Sequence, residues 1–314
     1  MHPALSVIFF TTLSGAGYGL LTWLGVSLAL LHLRGHGSPE LQRLHLAVLA
    51  VGFVLSTIGL LCSLGHLGQP QRAWRALSQW RTSWLSREGV ASLVTAAIAL
   101  VLGVLLYRPF APTSAPLLGA LGIVLAASAL LTVVCTAMIY ASLKPIPAWR
   151  HPLVVPVYLV FALATGLALQ FLLMTWIQHG GNAFPMVLTL LAMGVALAAM
   201  KWLYWYETDR RGLPAARGDA IGLPERTATV FERPHTEASY VTGEMAFALA
   251  RRHGDRLRWA ATALLVAVPL LALVLGAAAP TASLLLALAG LLGGAFLERW
   301  LFFAQARHLV TLYY

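Results

Sequence analysis

Residues 62–107 read CSLGHLGQPQRAWRALSQWRTSWLSREGVASLVTAAIALVLGVLLY, and the architecture of the chain can be inferred from this stretch. It begins with the end of one apolar run, continues as a polar joint rich in Arg and Trp, and ends with residues 89–107, an apolar run that carries no charge. A membrane-spanning helix needs about 20 consecutive apolar residues. The stretch therefore predicts two transmembrane helices joined by a short polar loop.

The composition extends this pattern to the whole chain. Of its 314 residues, 59% are hydrophobic and 10% are charged, with a mean hydropathy of +0.79, and these values exclude a soluble globular protein. No positively charged region precedes the first apolar run, which predicts a retained span and not a cleaved signal peptide. We predict an all-α fold, a single membrane domain (residues 1–314) built as a bundle of eight transmembrane helices. The predicted spans are roughly 5–33, 43–65, 89–107, 115–143, 152–177, 184–206, 258–278 and 281–305.

The distribution of basic residues predicts the orientation in the membrane. The formal net charge is +10, and in a membrane protein Lys and Arg accumulate in cytoplasmic loops. Loops one, three, five and seven carry Arg34, Arg43 and Arg108, whereas loops two and four carry Arg72, Arg75, Arg81, Arg87, Lys144 and Arg150. We therefore predict that the even-numbered loops and both ends of the chain are cytoplasmic.

The cysteines and histidines limit the redox centres that this chain can hold. Cys62 and Cys135 are its only cysteines, and an iron–sulfur cluster takes about four thiolates, so no cluster is expected here. The histidines fall near predicted span ends and not at mid-membrane depth, so we expect neither haem nor another metal site. Electrons that reach this chain must come from another polypeptide.

Residues 207–257 are the one long hydrophilic segment. We predict an irregular first half followed by a helix near Thr236–His253 that lies on the membrane surface. Two interpretations are open, a solvated linker and a docking surface for a peripheral partner, because long loops in compact proteins are usually either functional or disordered.

His66 and Glu88 flank the polar joint, and together they suggest quinone chemistry. A quinone gains or loses protons at its two carbonyl oxygens, so its site needs a group that titrates near neutral pH, typically His, and an acid that relays protons. Trp74, Trp80 and Trp84 would supply part of an aromatic wall at interface depth.

Each of these residues also has a simpler interpretation. His66 fits an ordinary interfacial histidine, Glu88 fits a first-turn acid of a helix capped by Ser86, and the arginines fit topology signals. Taken singly, the simpler interpretations prevail, and only the combination favours a quinone site.

Ionisable residues inside the predicted spans suggest a different function. Lys201 is expected to extend its ammonium to the interface among neighbouring aromatic residues. Glu298 and Arg299 are adjacent and so are expected on different helix faces, whereas Glu298 and Gln305 share one face. A proton relay of this kind would suit a secondary transporter.

The stretch HLGQPQRAWRALSQWRTSWLSRE (residues 66–88) resembles the membrane-anchor subunits of the dimethyl sulfoxide reductase family. In that family, a His and a Glu at the positions of His66 and Glu88 are implicated in menaquinol binding and oxidation. The runs MHPALSVIFFTTLSGAGYG, MIYASLKPIPAW and ERWLFFAQARH further resemble the sulfite dehydrogenase anchors within the family.

The resemblance implies an anchor in the bacterial inner membrane that binds ubiquinone or menaquinone. It implies two partners, a subunit with four [4Fe–4S] clusters and a molybdopterin-guanine-dinucleotide catalytic subunit, and no nucleic acid. Electrons would flow from sulfite to quinone. The alternatives are flow from menaquinol to a dimethyl-sulfoxide-type acceptor, a purely structural anchor, and the secondary transporter. The candidate quinone-binding residues are His66, Arg72, Trp74, Arg81, Trp84 and Glu88, with His66 and Glu88 as the proton-exchanging pair.

Overall fold

Eight long helices make up most of the part of the chain that the structure describes. The computed structural model describes residues 4–65, 67–109, 111–178, 182–211, 213, 216–229, 231–232, 253–276 and 278–312. Each helix is long and apolar enough to cross a membrane, so the predicted all-α bundle of eight spans is confirmed. The helices are α1 (Leu5–His32), α2 (Pro39–Leu64), α3 (Trp84–Tyr107), α4 (Ala115–Ala141), α5 (Val154–Gln178), α6 (Ala183–Arg211), α7 (Gly254–Leu275) and α8 (Pro280–Ala304).

Several helices extend beyond their apolar cores into polar sequence. α2 begins at Pro39, four residues before the predicted span, because the Ser38 side chain accepts a hydrogen bond from the Leu41 amide (3.1 Å) and proline suits the first turn. α6 continues to Arg211, whose guanidinium lies 2.7 Å from the Glu207 carboxylate one turn earlier. Counting apolar residues finds the membrane core of a helix but not these polar turns.

The helices form two four-membered rings. In the first ring α1 contacts α2, α2 contacts α3, α3 contacts α4, and α4 returns to α1. In the second ring α5, α6, α7 and α8 contact one another in the same order. The rings meet where α1 packs on α5, with further contacts from α1 to α8 and from α4 to α5.

The crossing of α1 and α5 depends on glycine. A Cβ atom added at Gly166 would lie 2.7 Å from the Cα of Gly19, which is closer than real Cβ atoms come to other atoms. Small residues allow such close approach of membrane helices, where packing replaces the hydrophobic effect as the driving force.

Gly166→Ala is therefore expected to destabilise the bundle by about 1–3 kcal/mol through overpacking. Gly103→Ala on α3 is the matched control, because its Cβ would meet a Leu49 methyl at an ordinary 3.5 Å. Thermal unfolding of the purified protein in detergent measures both changes. Equal stabilities of the two variants would contradict the close crossing.

Loops two, four and six lie at one end of the bundle, here named the loop-two end, because consecutive spans alternate in direction. Within the segment 207–257, α6 occupies the first residues and Arg217–Ala220 form a single helical turn. The expected surface helix near Thr236–His253 lies, apart from His253, outside the described residues.

Candidate functional site

Loop two is compact and basic. A 3₁₀ helix covers Pro70–Gln79, and a short turn then leads into α3. The Arg87 side chain donates hydrogen bonds to the carbonyl oxygens of Trp80 (3.0 Å) and Arg81 (2.7 Å), which ties this turn to the first turn of α3.

Arginine and tryptophan alternate along loop two and the first turn of α3, and they stack on one another. The guanidinium carbons of Arg75, Arg81 and Arg87 lie 5.6, 5.5 and 4.3 Å from the ring centroids of Trp74, Trp80 and Trp84. These are cation–π distances.

Most of the predicted quinone-binding residues of loop two face outward. Trp74 is 67% exposed, Arg72 and Arg81 are also exposed, and Trp84 is half-buried. Because Trp74 and Arg81 are exposed, they present a basic and aromatic surface at the loop-two end.

Glu88 differs from these residues, because its carboxyl group is buried in the bundle. It is the fifth residue of α3 and is 4% exposed. The Thr136 hydroxyl on α4 donates a hydrogen bond to its Oε1 (2.5 Å), and the same hydroxyl lies 3.0 Å from the carbonyl oxygen of Thr132.

This geometry suits both protonation states of Glu88. The Thr136 hydroxyl has one proton and can also accept. When Glu88 is ionised, Thr136 donates to it; when Glu88 is protonated, Thr136 accepts from it and donates to the Thr132 carbonyl. The carboxyl group can therefore gain or lose a proton without leaving its partner unsatisfied.

The interpretation of Glu88 as a first-turn acid capped by Ser86 is wrong. α3 starts at Trp84 with Ser83 at the N-cap position, and its first turn contains no acid. Ser86 is inside the helix, where its buried hydroxyl has no hydrogen-bond partner among the described residues. The helix starts earlier because its first turn extends beyond the apolar run.

His66 lies outside the described residues. α2 ends at Leu64 with Gly65 as its C-cap, so the chain passes from α2 into loop two at this point. Proximity of His66 and Glu88 stays a prediction.

A buried ionic cluster lies in the second ring. Lys201 Nζ on α6 is 2.6 Å from Glu298 Oε1 on α8, and Arg299 Nε is 2.9 Å from Glu298 Oε2. All three side chains are at most 3% exposed. The Arg299 guanidinium stacks on the Tyr158 ring of α5 at 3.6 Å from its centroid.

A small cavity, here named the junction cavity, lies where the two rings meet. Helices α1, α4, α5 and α8 line it, and its polar lining includes Thr12, Thr136, Tyr158 and Arg299. The cavity has a volume of about 20 Å³. It lies between Thr136, the partner of Glu88, and Arg299 of the ionic cluster.

A larger pocket, here named the outer pocket, lies beside loops four and six and has a volume of about 470 Å³. Tyr204 and Phe302 line it and also contact Lys201, whose ammonium is 3.8 Å from the Tyr204 ring centroid. His151 Nε2 lies 3.0 Å from Glu207, a residue of the α6 turn beside the pocket. The outer pocket thus brings polar groups close to the ionic cluster.

Comparison with known proteins identifies the family. A family model described as DMSO reductase anchor subunit (DmsC) matches residues 1–305. This chain belongs to the DMSO reductase anchor subunit family. A curated relative, a sulfite dehydrogenase subunit of Allochromatium vinosum, is 32% identical over 328 aligned positions, which cover 100% of this chain and 99% of the relative. The family resemblance of residues 66–88 is confirmed.

Two expectations about buried charges of this anchor subunit are wrong. Lys201 does not extend to the interface, because it is 2% exposed and paired with Glu298. Glu298 and Arg299 do pair, because long side chains of adjacent residues can bend toward each other. Gln305 accepts a hydrogen bond from Arg258 Nη2 (3.2 Å).

Sequence reasoning missed the ionic cluster of the anchor subunit, although a signal was present. Lys201, Glu298 and Arg299 are charged residues inside predicted spans, and such residues usually pair with one another inside a bundle. Among the residues that the structure describes, no group of three or more His, Cys, Asp or Glu side chains can hold a metal ion.

Proposed function

We propose that this anchor subunit passes electrons from a [4Fe–4S] partner to membrane quinone, in a complex whose molybdopterin subunit oxidises sulfite to sulfate. Sulfite and water give sulfate, two protons and two electrons, and the quinone takes up two electrons and two protons to become quinol. The name of the relative, which is a sulfite dehydrogenase subunit, supports the substrate, and membership of an anchor family supports the need for partners.

The observation that carries the proposal is the environment of Glu88. Its buried carboxyl group lies about one turn from loop two and has a hydroxyl partner that suits both of its protonation states. We assign to Glu88 the proton relay and to His66 a hydrogen bond to a quinone carbonyl, with exchange of its proton.

The remaining predicted residues would bind and orient the headgroup. Trp74 and Trp84 would contact its ring, and Arg72 and Arg81 would contact its oxygens or the partner's surface. Their exposure at the loop-two end fits either contact, because a docked partner would cover them.

The loop-two end is the proposed docking face. Loops two, four and six lie there, so one partner can contact basic loop two and the segment 207–257 together. The charge distribution supports a cytoplasmic position for this face, in a bacterial inner membrane.

The reverse direction is a second candidate, because the matching family model carries the name of a reductase anchor. Menaquinol oxidation would use the same residues with protons leaving and not arriving. A twin-arginine signal on the catalytic partner's precursor would place that partner outside the cytoplasm and favour this direction.

His66→Ala tests the proposed function. In the complex purified through a tag on this chain, the variant is expected to lower sulfite-driven reduction of a short-chain ubiquinone analogue by at least about tenfold, because a positioned proton-exchanging group is lost. Reduction of a soluble dye by the same complex should be unchanged, because the dye accepts electrons from the partners.

His36→Ala is the matched control, since His36 is exposed in loop one at the opposite end. The proposal would be contradicted if this chain co-purified with neither a cluster-bearing nor a molybdopterin subunit. A His66→Ala variant with full quinone activity would remove the assigned role of His66.

A further inference from the structure

We infer that a groove between α2 and α3, here named the α2–α3 groove, binds one acyl chain of an anionic phospholipid whose phosphate contacts Arg43 and Arg108. The groove lies at the end of the bundle opposite loop two. Its walls include Leu100 and Val104, which are 60% and 57% exposed, so it opens to the surface that faces lipid in a membrane. The candidate quinone site is at the other end, so this inference does not depend on the proposed function.

The groove exists because α2 and α3 pack less closely than the other neighbouring helices of the first ring. Its volume is about 490 Å³, and small-molecule sites in proteins usually have about 300–1,000 Å³. Buried Leu49 and Ala99 form its floor. Gly103 leaves space beside them, since a Cβ atom there would meet only a Leu49 methyl, at 3.5 Å. The two helices therefore leave room for one chain of a ligand.

The lining and the length of the groove suit a hydrocarbon chain. Within the described part of the chain, its lining residues are apolar or aromatic except Arg108, which lies at its outer end. From Ala99 to Tyr107 the α3 wall rises by about 12 Å, at about 1.5 Å per residue. One leaflet of the hydrocarbon core of a bilayer is about 15 Å thick. The groove thus runs along most of one leaflet, as an acyl chain does.

Two arginines lie at the outer end of the groove, one on each helix. Arg108 directly follows α3 and lines the groove. Arg43 is on α2, three and seven residues before the lining residues Leu46 and Ala50, and this spacing puts it on the same helix face. Both arginines are exposed, and neither forms an ion pair with a described residue, including the nearby acid Glu40. Both guanidinium groups are therefore available to a phosphate.

A buried glutamine holds the two helices together at this end of the groove. Gln42, which directly precedes Arg43, donates hydrogen bonds from Nε2 to the carbonyl oxygens of Leu106 (2.8 Å) and Arg108 (2.6 Å). Gln42 is 6% exposed. These bonds fix the backbone of Arg108 beside the first turns of α2. Two positive charges are thereby kept at the same end of one apolar groove, the arrangement that an anionic lipid headgroup needs.

The charge distribution of the whole chain supports an anionic ligand at this place. Loops one, three, five and seven carry only three Lys or Arg residues, namely Arg34, Arg43 and Arg108. Two of these three are at the outer end of the groove, although basic residues are otherwise concentrated in the loops at the opposite end of the bundle. A phosphate would give both a counter-charge, whereas a neutral ligand such as a quinone would not. The groove and its arginines together therefore favour a phospholipid.

The double variant Arg43→Gln, Arg108→Gln tests the headgroup contact. Native mass spectrometry of the purified protein measures binding of dioleoyl phosphatidylglycerol, and of dioleoylglycerol, which has the same chains and no phosphate. An arginine near an anionic lipid surface contributes about fivefold to affinity, so the variant should bind phosphatidylglycerol about 25-fold more weakly. Binding of dioleoylglycerol should not change. Arg34→Gln is the matched control, because Arg34 is exposed in loop one and does not line the groove.

Ala50→Phe tests the groove itself, because Ala50 is an exposed lining residue and a phenyl ring there fills part of the groove. Binding of both lipids is expected to weaken roughly tenfold, which corresponds to about two acyl methylene groups that are no longer buried. Ala192→Phe is the matched control, since Ala192 is exposed on α6 and does not line the groove. Equal unfolding midpoints of the lipid-free proteins would show that both variants are folded.

Three results would overturn the lipid site. Unchanged phosphatidylglycerol binding in the arginine double variant would remove the headgroup contact, and equal lipid binding by Ala50→Phe and Ala192→Phe would remove the groove. A quinone that is extracted from the parental protein but is missing from Ala50→Phe would mean that the groove holds a quinone tail. None of these measurements uses quinone reduction, so failure of the proposed function would leave their outcome unaffected.

Discussion

Glu88→Gln is expected to lower sulfite-driven quinone reduction by about 100-fold or more, the lower end of what a positioned proton-transfer group contributes. Glutamine keeps the shape and can still accept the hydrogen bond from Thr136, but it cannot carry a proton between water and quinone. Steady-state reduction of a ubiquinone analogue by the purified complex measures the loss. Dye reduction in the same preparation reports the integrity of the partners.

Glu40→Gln is the matched control for this variant. Glu40 is an exposed acid in the first turn of α2, at the end of the bundle opposite loop two. Its substitution should leave both activities unchanged. Equal quinone activity of the Glu88→Gln and Glu40→Gln complexes would show that the buried carboxyl group does not relay protons.

Glu298→Ala is expected to destabilise the chain by about 3–5 kcal/mol, which is the usual cost of breaking a buried ion pair by removing one partner. The ionic cluster contains one carboxylate between two cationic groups, Lys201 and Arg299. Removing Glu298 takes away the carboxylate that pairs with both of them in a water-poor interior. The midpoint of thermal unfolding in detergent should fall by several degrees.

Lys201→Met provides the comparison, because it leaves Glu298 and Arg299 as a balanced pair. Methionine also fills most of the volume of the lysine stem, so this variant should be clearly more stable than Glu298→Ala. The opposite order of stability would mean that charge balance does not hold the cluster together.

The helices could be predicted closely because each membrane span is recognisable by its own composition. Apolar runs located all eight, and the differences lie at polar ends such as Ser38–Pro39 before α2 and Trp84–Arg87 at the start of α3. These turns are stabilised by caps and local side-chain contacts, which an apolar count does not detect. The arrangement in two rings depends on contacts between distant helices, which periodicity does not reveal.

The candidate site was predictable only in part, for the same reason. Glu88 was recognised from its spacing to His66, but its partner Thr136 lies on another helix. Lys201 was expected at the interface because its aromatic neighbours resemble an interfacial belt, and its true partner is nearly a hundred residues away on α8. Adjacent Glu298 and Arg299 were judged from helix-face geometry alone, which neglects the reach of long side chains.

Among the residues that the structure describes, the buried charged groups lie near one face of the bundle. Glu88 is the fifth residue from the loop-two end of α3, and Arg299 is the sixth residue from the same end of α8. The work that the membrane voltage does on a charge is proportional to the part of the field that the charge crosses. For an elementary charge that crosses the full thickness, this work is about 2.3 kcal/mol per 100 mV. A proton drawn in at this face and delivered to a quinone at this face crosses very little of that field. Under the proposed function, turnover by such a route would be electroneutral, and any proton-motive force would arise only later, when another respiratory enzyme reoxidises the quinol.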